Sequence, residues 1–250
     1  MRKLKKLWKN AIRIAGPRTI RAMLLKHRYA QIVPLGRNCE VAYRFFLRWG
    51  FVDSSVFAWA YVKDIPTLVS ALKSIDNLPD GEFELSEAKH MWMHRESGIL
   101  FHGNLTWKFG SPAPSDEALR SDLADLRSRL KHLVSKLRRY LTNDEETIVI
   151  YKLADEDSQA DDLCQRLDSL ENTLNDMGAR NWRILVICKD ADTPKMPPAS
   201  QRRIYRSVRE FNPGSKVTWP ELGDPAGWHA LFTEFAPKTI LKKAHAFKFE

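Results

Sequence analysis

The sequence predicts an α/β fold: a three-layer domain around a mostly parallel sheet, with a basic amphipathic helical appendage at its N-terminus. Three observations predict it. Thr147–Leu153 (TIVIYKL), the leucine-patterned stretch 156–177 and Arg183–Cys188 (RILVIC) read as strand, helix and strand. The second strand is an almost unbroken apolar run, as expected of a parallel strand covered on both faces. Tyr29–Leu35 followed by Gly36-Arg37-Asn38 and an apolar-patterned stretch reads as a second strand-to-helix junction. The chain therefore divides into an appendage, 1–28, and a single α/β domain, 29–250.

In the appendage, a helical wheel over residues 2–15 puts Leu4, Leu7, Trp8, Ala11, Ile12, Ile14 and Ala15 on one side. Arg2, Lys3, Lys5, Lys6, Lys9 and Arg13 fall on the other. Gly16-Pro17 ends the pattern, and Ile20, Met23 and Leu24 continue its character. This is the composition of a helix lying on an anionic membrane surface, where each cation gains roughly 1 kcal/mol. The same pattern also suits a helix packed on its own domain or an organellar transit peptide.

The domain begins with the strand Tyr29–Leu35 and a helix over Cys39–Trp49 closed by Gly50. Residues 51–110 are mixed, with a strand expected at Gly98–His102. Ser115 caps a long helix whose first turn carries Asp116 and Glu117, and whose Leu119, Leu123, Leu126, Leu130, Leu133 and Leu137 form one stripe. That stripe suits a helix covering a sheet better than a coiled coil. Gly178 stops the helix 156–177. Beyond the Pro-rich loop Asp190–Ser200, the pattern predicts a helix over 201–210, a short strand at Lys216–Trp219 and a last helix at Pro225–Phe235.

Composition removes several function classes. With 44% hydrophobic and 28% charged residues among 250, the chain is not disordered as a whole. No apolar run approaches the roughly 20 residues that span a bilayer. Three cysteines are too few for a disulfide scaffold, so a reducing, cytoplasmic setting is expected, including the inner face of the cytoplasmic membrane. The net charge of +9 suggests nucleic acid, but eleven of the 40 Lys/Arg lie in residues 1–39, which hold no acid; the rest carries 29 basic against 31 acidic side chains. A near-neutral domain without a nucleic-acid motif argues against a nucleic-acid partner. Motifs for nucleotide cofactors, a P-loop or GxSxG are absent, so no cofactor is expected.

The chemistry-bearing candidate is Cys39. It follows a strand and a tight turn and opens a helix, where unpaired N–H groups and the positive helix end favour a thiolate, the nucleophilic form. Asn38 offers an amide donor for an oxyanion, and Arg37 adds positive charge. Cys164, within a helix, and Cys188, ending an apolar strand, are expected to be buried. Of seven histidines, His102 closes a strand and precedes Gly103-Asn104, a position suited to a base for Cys39. His229 follows Asp224, although the spacing is not that of an esterase. His90 and His94, four apart, would share a helix face but have no further ligand motif, so no metal is expected. His132 reads as solvated. A third member is open among Asp155, Asp190 and Asp224.

The run Ile32-Val33-Pro34-Leu35-Gly36-Arg37-Asn38-Cys39-Glu40-Val41-Ala42 resembles the LGxNCxVA block of a bacterial family of unknown function classed with papain-like cysteine peptidases. Phe57-Ala58-Trp59 is similar to that family's Phe-x-Trp element, with Ala58 where many members have Asp. Phe101-His102 is similar to its histidine element. The likeness covers roughly residues 30–235. It implies Cys39 as nucleophile and His102 as base. It also implies a link to surface-polysaccharide genes, hence acyl transfer or deacylation on a glycan as an alternative to proteolysis. The expected partners are an acyl- or peptide-bearing substrate, glycan-linked or not, and an anionic membrane met by residues 2–28. The oligomeric state is open. A non-catalytic, membrane-peripheral accessory protein is the competing reading.

Overall fold

The computed structural model describes residues 28–29, 31–37, 40–49, 55–86, 91–105, 114–208 and 224–237. In chain order, β1 (Arg28–Tyr29) and β2 (Gln31–Pro34) lead to α1 (Glu40–Trp49). Next come β3 (Ala60–Tyr61), α2 (Ile65–Lys73), β4 (Phe83–Ser86), β5 (Met91–His94) and β6 (Leu100–Phe101). The long α3 (Asp116–Thr142), β7 (Thr147–Lys152), the single turn α4 (Asp155–Ser158), α5 (Leu163–Asp176) and β8 (Trp182–Lys189) follow. The last are β9 (Arg203–Val208), α6 (Pro225–Glu234) and β10 (Ala236–Pro237). The appendage expected over 1–28 lies outside the described residues, apart from Arg28.

The protein is a mixed α/β structure with a four-stranded parallel sheet of order β2-β7-β8-β9. Side chains alternate along each strand, and both sets are buried. Val33, Val149, Tyr151, Ile184 and Val186 face one core, together with leucines of α3 and α5. Ile32, Ile148, Ile150, Leu185 and Ile187 face the other, with Val41 and Phe45 of α1 and Trp228 and Phe232 of α6. Phe45 meets Phe232 edge-on at 5.4 Å between ring centroids, which locks α1 to α6 across that face. The βαβ unit read from 147–188 is present, with β7 and β8 parallel. Among the described residues, no helix is long and apolar enough to cross a membrane.

A second sheet forms within 60–101; of its strands, the sequence predicts only the one at Gly98–His102, which is β6 (Leu100–Phe101). The sheet is antiparallel, of order β3-β6-β5-β4. Helix α3 lies between the sheets: Leu126, Leu130, Leu137 and Leu141 are buried in the first core, which also takes Trp92 and Phe101 of the antiparallel sheet. Ser115 caps α3 as its sequence predicts, its hydroxyl accepting from the Ala118 amide at 3.3 Å.

Four expectations change. The strand Tyr29–Leu35 is shared between two partners: β1 pairs with β10, β2 with β7. The helix 156–177 is divided into α4 and α5. Buried Asp157 sits at the division, taking hydrogen bonds from the Ile65 amide (3.1 Å), the Tyr151 hydroxyl (2.8 Å) and Arg166 (3.2 Å). The helix over 201–210 is instead the strand β9, paired in parallel with β8. As an edge strand, β9 places the neighbouring Ile204 and Tyr205 on opposite cores, a period of two rather than a helical one. Finally, Cys164 is exposed, because Leu163, Leu167, Leu170 and Leu174 carry the buried face of α5 and Cys164 points about 100° away from Leu163. Cys188 is buried, as expected, and burial raises its thiol pKa. The strand expected at Lys216–Trp219 lies outside the described residues.

Candidate functional site

The end of β2 is a specialised turn. The Leu35 amide continues the sheet ladder to the Ile150 carbonyl at 2.8 Å, and the chain then turns through Gly36 (φ +98°) and Arg37 (φ +78°). Gly36 is required twice over: the backbone is left-handed, and a Cβ there would lie 2.7 Å from Val62 Cγ2. Arg37 tolerates its unusual backbone because its surroundings hold it. Its carbonyl accepts from the Val62 amide at 3.1 Å, its guanidinium donates to the Lys63 carbonyl at 3.1 Å and lies 3.4 Å from Glu156, and it stacks 5.4 Å from the Tyr61 ring. Glu40, in the first turn of α1, pairs with Lys152 at the end of β7 and with Arg44, 3.7 Å away. Asn38 and Cys39, the oxyanion donor and nucleophile expected from sequence, lie outside the described residues.

This turn is packed against the segment that carries Phe57-Ala58-Trp59. The Ser55 hydroxyl donates to the Pro34 carbonyl, and Phe57 is fully buried with its carbonyl accepting from the Ala60 amide at 3.3 Å. β3 then pairs with β6, Ala60 opposite Phe101, and His102, next after Phe101, lines one cavity with Trp59. The three sequence blocks of the resemblance are thus contiguous by hydrogen bonds and strand pairing.

His102 follows β6 directly, at a strand end as its sequence position suggests, and is exposed. It lines a cavity of about 220 Å³ whose apolar walls are Val56, Trp59, Phe101, Leu126, Leu130 and Leu133. Ser55 and Arg129 supply the other polar groups. Partial burial of its ring lowers the His102 pKa, and the charge of Arg129 acts in the same direction. Both effects favour the neutral imidazole, the form that accepts a proton. Arg129 donates to the His102 carbonyl and, at 3.0 Å, to Asn104 Oδ1.

One residue beside the candidate site has no counterpart among the sequence expectations. Asp122 of α3 is buried, yet it accepts from Trp92 Nε1 at 2.7 Å and from the amides of Asn104 and Leu105, at 2.5 and 3.1 Å. It fixes the loop immediately after His102. Gly103 makes the approach possible, since a Cβ there would lie 2.0 Å from Asp122 Oδ2. The signal was in the helix: with Leu119, Leu126 and Leu130, Asp122 sits on the apolar stripe, where a carboxylate must find donors.

The three carboxylates left open for a triad are engaged elsewhere or face solvent. Asp155 pairs with Lys189 at 2.7 Å, and that hydrogen bond holds its pKa low. Asp190 is exposed in the turn after β8. Asp224 caps α6, accepting from the Gly227 amide at 2.8 Å, and His229, on α6, is exposed. His132 is exposed on α3, as expected. His94 is on a strand, not a helix, so it shares no helix face with His90, which lies outside the described residues. Its Nδ1 meets Ser97 Oγ at 2.9 Å, and its ring packs edge-on to Phe83 at 5.2 Å between centroids. The described residues contain no cluster of metal-ligating side chains. No protein-family model matches the chain, and no curated protein or solved structure matches it either.

Proposed function

We propose that the protein is a thiol-nucleophile enzyme acting on an acyl carbonyl, with Cys39 as nucleophile, His102 as general base and Asn38 with the α1 amides as oxyanion donors. The observation that carries this reading is that the Phe57–Trp59 segment and β3 contact both the turn preceding Cys39 and the strand end bearing His102. The lowered His102 pKa supports it, since a neutral imidazole can take the thiol proton. In the reaction, the Cys39 proton passes to His102 and the thiolate adds to the carbonyl carbon. The bond to the leaving group breaks as that group takes the proton from His102. Water, or an acceptor hydroxyl, then attacks the thioester, returning its proton through His102 to the departing Cys39 sulfur.

Hydrolysis of a peptide, deacylation of a glycan and acyl transfer share this chemistry, and the resemblance favours surface-polysaccharide substrates. In the same proposal, the three-layer domain is carried on the inner face of the cytoplasmic membrane by the amphipathic face of residues 2–28. That face is also the observation behind the second reading, a non-catalytic accessory protein on the membrane.

The test is the pH dependence of iodoacetamide labelling at each cysteine, read by mass spectrometry on folded protein. The proposal expects Cys39 to label rapidly well below pH 8, Cys188 to be protected by burial, and exposed Cys164 to serve as the ordinary reference thiol. Replacement of His102 by Gln should slow the Cys39 reaction near neutral pH. A Cys39 profile no faster than that of Cys164 would sink the enzyme reading.

A further inference from the structure

We infer that the cavity beside His102 binds a medium-length aliphatic acyl chain; this rests on the thiol-enzyme reading for what the chain is attached to, but not for the binding itself. The cavity measures about 220 Å³. At about 30 Å³ per water, that is room for roughly seven waters, or a chain of about six to eight carbons. Its polar neighbours are largely committed: the Ser55 hydroxyl to the Pro34 carbonyl, and the Arg129 guanidinium to the His102 carbonyl and Asn104. The walls therefore offer an occupant chiefly apolar contact, supplied by leucines of α3 and by Phe101.

Two further features point to an occupant. Trp59 is 38% exposed beside this cavity, an indole held partly in water where a chain would cover it. Among the described residues, the exposed His102 imidazole has no hydrogen-bond partner in the protein, so its ring is open to an occupant's carbonyl. An acyl group fits both features, placing its chain against Trp59 and the leucines and its carbonyl near the imidazole. A charged or sugar group would desolvate against leucine without compensation.

The experiment titrates full-length protein with neutral primary amides from acetamide to decanamide, followed by ligand-observed NMR. Saturable binding is expected, with affinity rising about fourfold per methylene up to octanamide and then levelling. Leu133→Trp, at a half-buried position, fills the cavity and should weaken octanamide binding at least about tenfold. Trp59→Ala, at an exposed position, removes a wall and should weaken it several-fold. Circular dichroism confirms that each variant folds, and either folded variant suffices. Cys39→Ser should still bind octanamide. Binding that does not saturate, that ignores chain length, or that survives both substitutions overturns the inference. A preference for N-acetyl-leucinamide over octanamide overturns it in favour of a peptide side chain. Chain binding with an inert Cys39 would leave the site standing and remove the enzyme reading, whereas an activated Cys39 without chain binding would do the reverse.

Discussion

In the parallel sheet, β7 and β8 bury side chains on both faces, and nearly every residue from Ile148 to Tyr151 and from Ile184 to Ile187 is fully excluded from water. In the antiparallel sheet, all four residues of β4 are only half-buried, and polar contacts fasten its surroundings. Arg127 donates to the Gly81 carbonyl at 2.9 Å, Asp122 takes Trp92, and Arg95 bridges Glu82 and Glu84 at 3.2 and 3.0 Å. The first sheet is a scaffold held by apolar burial, which is large and non-directional. The second is positioned by hydrogen bonds, which contribute less net stability but fix direction. His102 follows β6 of the second, where orientation matters most.

The largest test of that contrast is Leu185→Ala. Leu185 is fully buried between β7 and β9 and faces the core under α1 and α6. Its truncation should cost about 2–5 kcal/mol, read as a lower midpoint in urea unfolding with an unchanged slope. A loss below about 1 kcal/mol would mean the parallel sheet is not the stabilising half.

Asp122→Ala comes next and separates position from stability. It strands Trp92 Nε1 and two loop amides, and a buried unpaired group costs about 1–3 kcal/mol. The distinctive outcome is local: amide exchange at Asn104 and Leu105 should rise far more than at Ile184. Equal acceleration at both sites would show that Asp122 merely stabilises the whole and does not hold the His102 loop.

The same contrast explains what the sequence could reveal. β7 and β8 are legible because covered parallel strands must be apolar runs, and α3 is legible from its cap and leucine period. Met91–His94 carries no such signature: Trp92 and His94 are buried beside half-buried Met93, and the pairing that makes it a strand comes from Phe83–Ser86 and Leu100–Phe101. β9 misled because an edge strand needs apolar cover over only part of its length; its buried Arg203 is carried by Asp168 and Glu171 of α5, partners no local pattern shows. At the site, His102 was legible from its place after a strand. The role of Asp122 was not, because its donors lie 17, 18 and 30 residues away.

His94 gives a pH test confined to the antiparallel sheet. Its ring is buried against Gly81 and Phe83, and burial lowers its pKa, with Glu96 opposing. The unfolded chain, with an ordinary histidine pKa of about 6.5, therefore binds protons that the folded state refuses. This contribution to stability is present above pH 6.5 and is lost as pH falls through the lower folded value. Urea midpoints measured across that window should decline on acidification less steeply in His94→Gln than in the parent. Parallel declines would place the acid sensitivity elsewhere.

Arg95→Ala should have the smallest effect. Arg95 lies just beyond β5 and forks to Glu82 and Glu84, but all three side chains are substantially exposed. Coulomb attraction in water is weak and screened by salt, so exposed pairs are worth about 0–1 kcal/mol. The substitution should lower stability by less than about 1 kcal/mol, with the difference shrinking in 0.5 M salt. It should also leave octanamide binding at the His102 cavity intact, because that cavity is walled by α3, β6 and the Trp59 segment. A larger loss would mean that the antiparallel sheet depends on its outer rim of charge. The clasp formed by Asp122 and Arg129 would then be insufficient to hold the histidine in place.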